Sequence, residues 1–224
     1  KGQFDDGWHA YRAQQLERQK KLGLVPEDAK MVDWPEVLPK WDSFSEEGKR
    51  YLARQMEVNA AFLEHVDYHI GRVIDHIEAM GELDNTLVIY LTADNGCTAE
   101  GTPTGTFSEL LFQNGFPPLT MEQQLEKLEE FGGLDAWGGP HMANHYSVAW
   151  AYASSTPFQW TKQMASHFGG TMSATAIRYS KAIKARGEWR RQFQNVIDLV
   201  PTILEVTGVP APDYVNGQKR KPYP

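Results

Sequence analysis

A single cysteine, Cys97, excludes an internal disulfide and a cysteine-rich zinc site. Lys and Arg number 22 against 29 Asp and Glu, and no basic block interrupts the net charge of −7, so a general nucleic-acid surface is excluded. No apolar run approaches the roughly 20 residues of a membrane-spanning helix and no signal peptide opens the chain, so no membrane partner is expected. The chain starts at Lys1 without a Met and reads as the edge of a fragment. What is present is an ordinary globular composition, 41% hydrophobic and 12% aromatic, in which long disorder is not expected. Its 224 residues suffice for one large domain or two small ones.

The chain turns chemical at Thr86 to Gly96. Leu87 to Thr92 are strand formers without polar alternation, the pattern of a central strand covered on both faces of an α/β sheet. The expectation is an α/β fold with a mainly parallel sheet flanked by helices. Asp94 and Asn95 follow the strand, where an open α/β sheet places its ligands. Their carboxylate and amide oxygens are hard donors suited to Ca²⁺, or to Mg²⁺, rather than to a soft metal. Gly96 allows a positive φ just beyond. The competing reading is a plain Asn-Gly turn, the commoner outcome of so short a motif.

Upstream, Asp5 or Asp6 can cap a first helix carrying Trp8, Tyr11 and Leu16 and ending near Gly23. The stretch to Trp41 holds Pro26, Pro35 and Pro39 with Trp34, and reads as a loop packed on the body. Ser43 followed by Glu46 resembles a capping box opening the longest helix, from about Ser45 to Met80. Phe62, Leu63, Val66, Ile70, Val73, Ile74 and Ile77 recur at three and four residues, predicting burial along one side. His65 and His69 are spaced as metal ligands on that helix, but no third ligand continues the pattern, which favours hydrogen-bonding histidines.

Downstream, a long glycine-rich excursion from about Cys97 to Thr156 is suited to building the walls of a site, with only Thr120 to Phe131 reading as helix. No basic residue adjoins Cys97 in sequence, so a packed thiol is preferred to a nucleophile. Lys162, between apolar and glycine-rich stretches, reads as an anion contact or as a solvated surface lysine. Ala174 to Tyr179 is a candidate second strand and Phe193 to Val206 a helix that Pro201 would kink or restart.

The order of strand, Asp94-Asn95-Gly96, long loop, Ser155-Thr156-Pro157-Phe158, Lys162, Gly169-Gly170, strand and Ile197-Asp198-Leu199-Val200-Pro201-Thr202-Ile203-Leu204-Glu205 resembles the type I sulfatases. Within that family the chain is similar to the bacterial arylsulfatases of the alkaline phosphatase superfamily. The likeness extends to Gly2 through Gly7, Trp41-Asp42-Ser43 and Arg54-Gln55-Met56-Glu57, and so covers nearly the whole chain.

The resemblance implies a single incomplete catalytic domain over residues 1–224, its C-terminal part, lacking the first strand and the C-terminal subdomain. It implies a hydrolase of small aryl or sugar sulfate esters, in a periplasmic or secreted setting rather than a cytoplasmic one. It implies a calcium ion with Asp94 and Asn95 as two ligands, the others coming from an acidic pair on the missing strand. The family nucleophile is a formylglycine made in a Cys/Ser-x-Pro/Ala-x-Arg motif; Cys97 is followed by Thr98, Ala99, Glu100 and Gly101, without the Arg, and is not that residue. Lys162 matches the lysine that holds the sulfate and stabilises charge on the leaving oxygen, and His167 is a second candidate substrate contact. Phe168 departs from the Glu of many relatives, and Gln194-Asn195 from their His. A phosphatase, phosphodiesterase or phosphonate hydrolase of the same superfamily, or a non-catalytic relative, are the alternatives.

Overall fold

The computed structural model describes residues 1–93 and 95–220, which divide into two compact units, Lys1–Lys184 and Ala185 onward. The first unit is built around tryptophans. Helix α1 (Gly7–Lys21) buries Trp8 completely. The Trp8 ring meets Trp41 edge-on at 4.8 Å and Trp150 edge-on at 5.6 Å, and lies parallel to Trp34 at 6.0 Å. Edge-to-face contacts suit the ring quadrupole, so this cluster gains more than its area alone provides. The proline-rich segment joins it as expected, with Leu38 and Trp41 buried.

Helix α2 (Glu46–Ala79) has the expected extent, but its cap is Ser45 and not Ser43. Ser45 is extended (φ −62°, ψ 161°) and its hydroxyl accepts from the Gly48 N–H at 3.2 Å, as an N-cap must. Ser43 already lies in a 3₁₀ turn, where its hydroxyl donates to the Lys40 carbonyl. The expected stripe is a second correction. Burial falls on Tyr51, Leu52, Ala53, Gln55 and Met56 near the start of the helix, whereas Phe62 and Val73 are 61% and 59% exposed and Val66, Ile70, Ile74 and Ile77 only half-buried. The periodicity specifies a face to be covered; in this unit the aromatic core covers only the amino-terminal part of the helix.

Strand β1 (Val88–Leu91) follows a 3₁₀ turn at Leu83–Asn85. Two further helices, α3 (Glu109–Gln113) and α4 (Met121–Glu130), precede α5 (Val148–Ser154) within the long excursion, and α6 (Phe168–Thr171) comes after it. Strand β2 (Thr175–Arg178) pairs antiparallel with β1, Val88 opposite Arg178 and Leu91 opposite Thr175. Arg178 ties the pair to the turn by donating to the Leu83 carbonyl (2.6 Å) and the Asp84 carboxylate (3.1 Å). The excursion thus holds more helix than its sequence suggests. Residues Ala149 to Ala153 of α5 are all buried, so its surface carries no polar face to give a helical period. The Trp150 indole donates to the Leu52 carbonyl at 2.8 Å, joining α5 to α2.

Gln55 joins α2 to the excursion. Its amide nitrogen donates to the Thr104 carbonyl and its amide oxygen accepts from the Ser147 N–H, both at 2.9 Å, with the side chain fully buried. Gln55→Leu keeps the volume but strands a carbonyl and an N–H. At about 1 to 3 kcal/mol for each buried orphan, it should lower stability by about 3 kcal/mol, read as an earlier midpoint in urea unfolding of the full-length protein. A shift below about 0.5 kcal/mol would show that solvent reaches these groups.

In the second unit, Asn195 caps a 3₁₀ turn at Val196–Asp198 that leads into α7 (Leu199–Thr207). The helix therefore begins later than Phe193. Pro201 neither kinks nor restarts it, because it lies in the first turn, where the N–H that proline lacks has no partner within the helix. Strands β3 (Tyr214–Val215) and β4 (Gln218–Lys219) form a hairpin across Asn216 and Gly217, both at positive φ (51° and 76°), the backbone that a tight two-residue turn requires.

Candidate anion site beyond strand β1

Beyond Leu91 the pairing with the β2 side continues, as the Thr92 N–H and hydroxyl both donate to the Ala174 carbonyl. Asp94, the first expected metal ligand, lies outside the described residues. Asn95 and Gly96 are half-buried and are fixed by their main chain. The Ser173 hydroxyl donates to the Asn95 carbonyl at 3.0 Å, and the Gly96 N–H donates to the Gly170 carbonyl at 3.1 Å.

Close backbone approach, not positive φ, is what Gly96 supplies. A Cβ on Gly96 would lie 1.6 Å from the Gly169 carbonyl oxygen. Gly169 and Gly170 are confined in turn: a Cβ would lie 2.1 Å from the Trp160 carbonyl oxygen at the first and 2.4 Å from that of Met164 at the second. These glycines let three stretches of main chain touch.

Lys162 belongs to that junction. Its N–H donates to the Cys97 carbonyl at 2.9 Å, two residues beyond Asn95. Its ammonium lies 3.2 Å from the Glu100 carboxylate, and the Gln163 amide donates to the same oxygen at 3.1 Å. The other Glu100 oxygen is buried without a hydrogen-bond partner among the described residues. Trp160 and Gln163 flank Lys162 with φ of 65° and 79°, and Thr102 near Glu100 has 63°. Left-handed backbone at non-glycine residues is strained and is characteristic of functional sites. His167, at the amino end of α6, has Nδ1 2.8 Å from the Ser166 hydroxyl and its ring edge-on to Trp160 at 6.3 Å. The main-chain segments that carry Asn95, Lys162 and His167 are thus linked through one glycine-lined junction, while the Lys162 ammonium itself turns to Glu100.

The neighbouring acids are quiet. Burial pushes the Cys97 thiol up, only partly offset by a hydrogen bond with Ser155, so it is a packed thiol. Burial, reinforced by Cys97 and Glu100, likewise pushes the Tyr146 phenol up. His65 and His69 contact each other on α2, ring centroids 4.3 Å apart, and among the described residues no group of three or more His, Cys, Asp or Glu could hold a metal. Glu100 is the residue that sequence reasoning missed. It stands 63 positions from Gln163 and close to no basic residue in sequence, so nothing local signals the pairing.

The Lys162 main chain thus meets the loop that follows β1, and its ammonium pairs with Glu100. Residues 3–209 match the sulfatase family, and the chain belongs to that family. It is similar to an uncharacterized sulfatase of Schizosaccharomyces pombe, 36% identical over 216 residues covering 96% of this chain and 36% of that protein. It is also similar to an arylsulfatase of Klebsiella aerogenes, 25% identical over 209 residues covering 93% of this chain and 41% of that protein. The chain therefore spans less than half the length of these curated relatives.

Proposed function

We propose that the whole protein hydrolyses small sulfate esters, aryl sulfates among them, and that this chain supplies the leaving-group side of the site. The observation that supports this reading is the Cys97–Lys162 backbone bond beside the Gly96–Gly170 closure, which joins the main chain of Lys162 to the loop that carries Asn95. In this reading Lys162 holds a sulfate oxygen and offsets the charge that develops on the ester oxygen as it departs, an electrostatic contribution that needs a fixed donor. His167, steadied by Ser166 and Trp160, offers a polar contact to the same group.

Asp94 and Asn95 suit calcium by their donor chemistry, but two ligands fall short of the six to eight oxygens that calcium takes. When bound there, the ion supplies positive charge against the sulfate oxygens. The remaining ligands and the formylglycine nucleophile belong to other parts of the polypeptide. So does most of the parallel sheet, in which β1 would be one strand with α2 on its face. The open stripe from Phe62 to Ile77 supports that placement, as an apolar helix face needs a cover.

Full-length protein assayed with 4-nitrophenyl sulfate, phosphate, phosphate diester and phosphonate tests the proposal. Sulfate should be the fastest substrate and calcium chelation should abolish its turnover. A phosphorus ester hydrolysed faster would reassign the protein to the phosphatase or phosphodiesterase side of the superfamily; no turnover of any would make it a non-catalytic relative.

A further inference from the structure

The proposed reaction assigns a task to Lys162 and none to Glu100, yet the carboxylate is what the ammonium touches. We propose that Glu100 is a positioning residue, anchored by Gln163, that fixes the Lys162 ammonium and reduces its charge toward the arriving sulfate. The inference rests on the sulfatase reading of Lys162 and goes beyond it.

The geometry supports a built arrangement. One Glu100 oxygen accepts from both the Lys162 ammonium (3.2 Å) and the Gln163 amide (3.1 Å). Gln163 reaches it from a left-handed backbone, φ 79°, which a non-glycine residue adopts at a cost. The carboxylate is mostly buried, its side chain 18% exposed, and its second oxygen has no partner among the described residues. Strained backbone and a half-satisfied buried carboxylate are both unfavourable to stability. Such features persist where they serve a site.

Lysine carries a compact charge on a flexible stem, so an unheld ammonium would sample many positions around a sulfate oxygen. A fixed carboxylate restricts that sampling. It also weakens ground-state attraction for the anion, which leaves more of the lysine's effect for the moment when charge grows on the leaving oxygen. Gly101 holds Glu100 in place from the next position: a Cβ there would lie 1.7 Å from the Tyr146 carbonyl oxygen, so this main chain is pressed against its neighbour.

The test uses the full-length protein. Glu100→Gln keeps the shape and hydrogen-bonding oxygen and removes the charge; it should lower kcat for an aryl sulfate about 10-fold while lowering KM about 3-fold. Glu100→Asp keeps the charge and shortens the reach, so kcat should fall with KM unchanged. A merely structural role would reduce the folded fraction and kcat together and leave KM alone in both variants, which overturns the proposal, as do wild-type constants in Glu100→Gln. Pairing is read separately from the ¹³C resonance of reductively dimethylated Lys162, which should move in Glu100→Gln; an unmoved resonance also overturns it. A wild-type protein inactive on every sulfate ester removes the sulfatase reading itself, while the resonance still reports whether Glu100 and Lys162 pair.

Discussion

Lys162→Ala in the full-length protein should lower kcat for an aryl sulfate by about 100- to 1,000-fold, the usual effect of deleting one preorganised group aimed at developing negative charge. The loss should not come from unfolding. The lysine side chain is 36% exposed and the Glu100 carboxylate left behind keeps the Gln163 amide as a donor, so the cost to stability should stay within about 1 to 2 kcal/mol. The melting temperature should therefore move little while turnover collapses. Calcium affinity, measured by isothermal titration, should be nearly unchanged, because the ammonium is not a metal ligand. Lys162→Arg should rescue poorly, since the planar guanidinium cannot occupy the place of a point charge at the end of a linear stem. Unchanged turnover in Lys162→Ala would take the lysine out of the site and leave the Asp94-Asn95 loop as the remaining support for the proposed chemistry.

How much of this was legible in the sequence depended on whether the signal was local. The extent of α2 and the presence of β1 and β2 were readable because period and capping chemistry act within a few residues. The choice of Ser45 over Ser43 was not, as both serines precede acidic residues and only the backbone decides which one is extended. Helix α5 escaped notice because burial on all sides erases amphipathic contrast. The apolar period on α2 is legible as a pattern, but a pattern cannot say which part of a helix is covered within one chain. The site divides in the same way. Asn95 follows a strand-end motif, and the roles proposed for Lys162 and His167 come from the family resemblance, whereas Glu100 depends on a contact across 63 positions, and the need for Gly96 comes from a carbonyl at Gly169 that no turn propensity contains.

The steric confinement of Gly96 leads to the most damaging small substitution expected in this chain. Gly96→Ala places a methyl group where the Gly169 carbonyl oxygen already stands, 1.6 Å from the new carbon. No side chain can swing away, because both partners in the clash are main chain. Nor can Gly169 retreat, since its own Cα faces the carbonyl oxygens of Gln159 and Trp160, each about as close as 2.2 Å to an added Cβ. The Asn95 loop must therefore leave the Gly170 side, breaking the Gly96–Gly170 hydrogen bond and drawing the Cys97 carbonyl away from Lys162. Turnover should fall at least about 1,000-fold, since an angstrom of misplacement alone costs about 100-fold and here both the Asn95 loop and the lysine shift. Calcium affinity should fall as well, unlike in Lys162→Ala. Gly71→Ala is the control: that glycine lies within α2 with nothing inside 4 Å of an added Cβ, and the exchange should stabilise by about 0.5 to 1 kcal/mol and leave kcat intact. If Gly96→Ala and Gly71→Ala behave alike in turnover and calcium titration, the junction between the Asn95 loop and Gly169 is not what holds the site together.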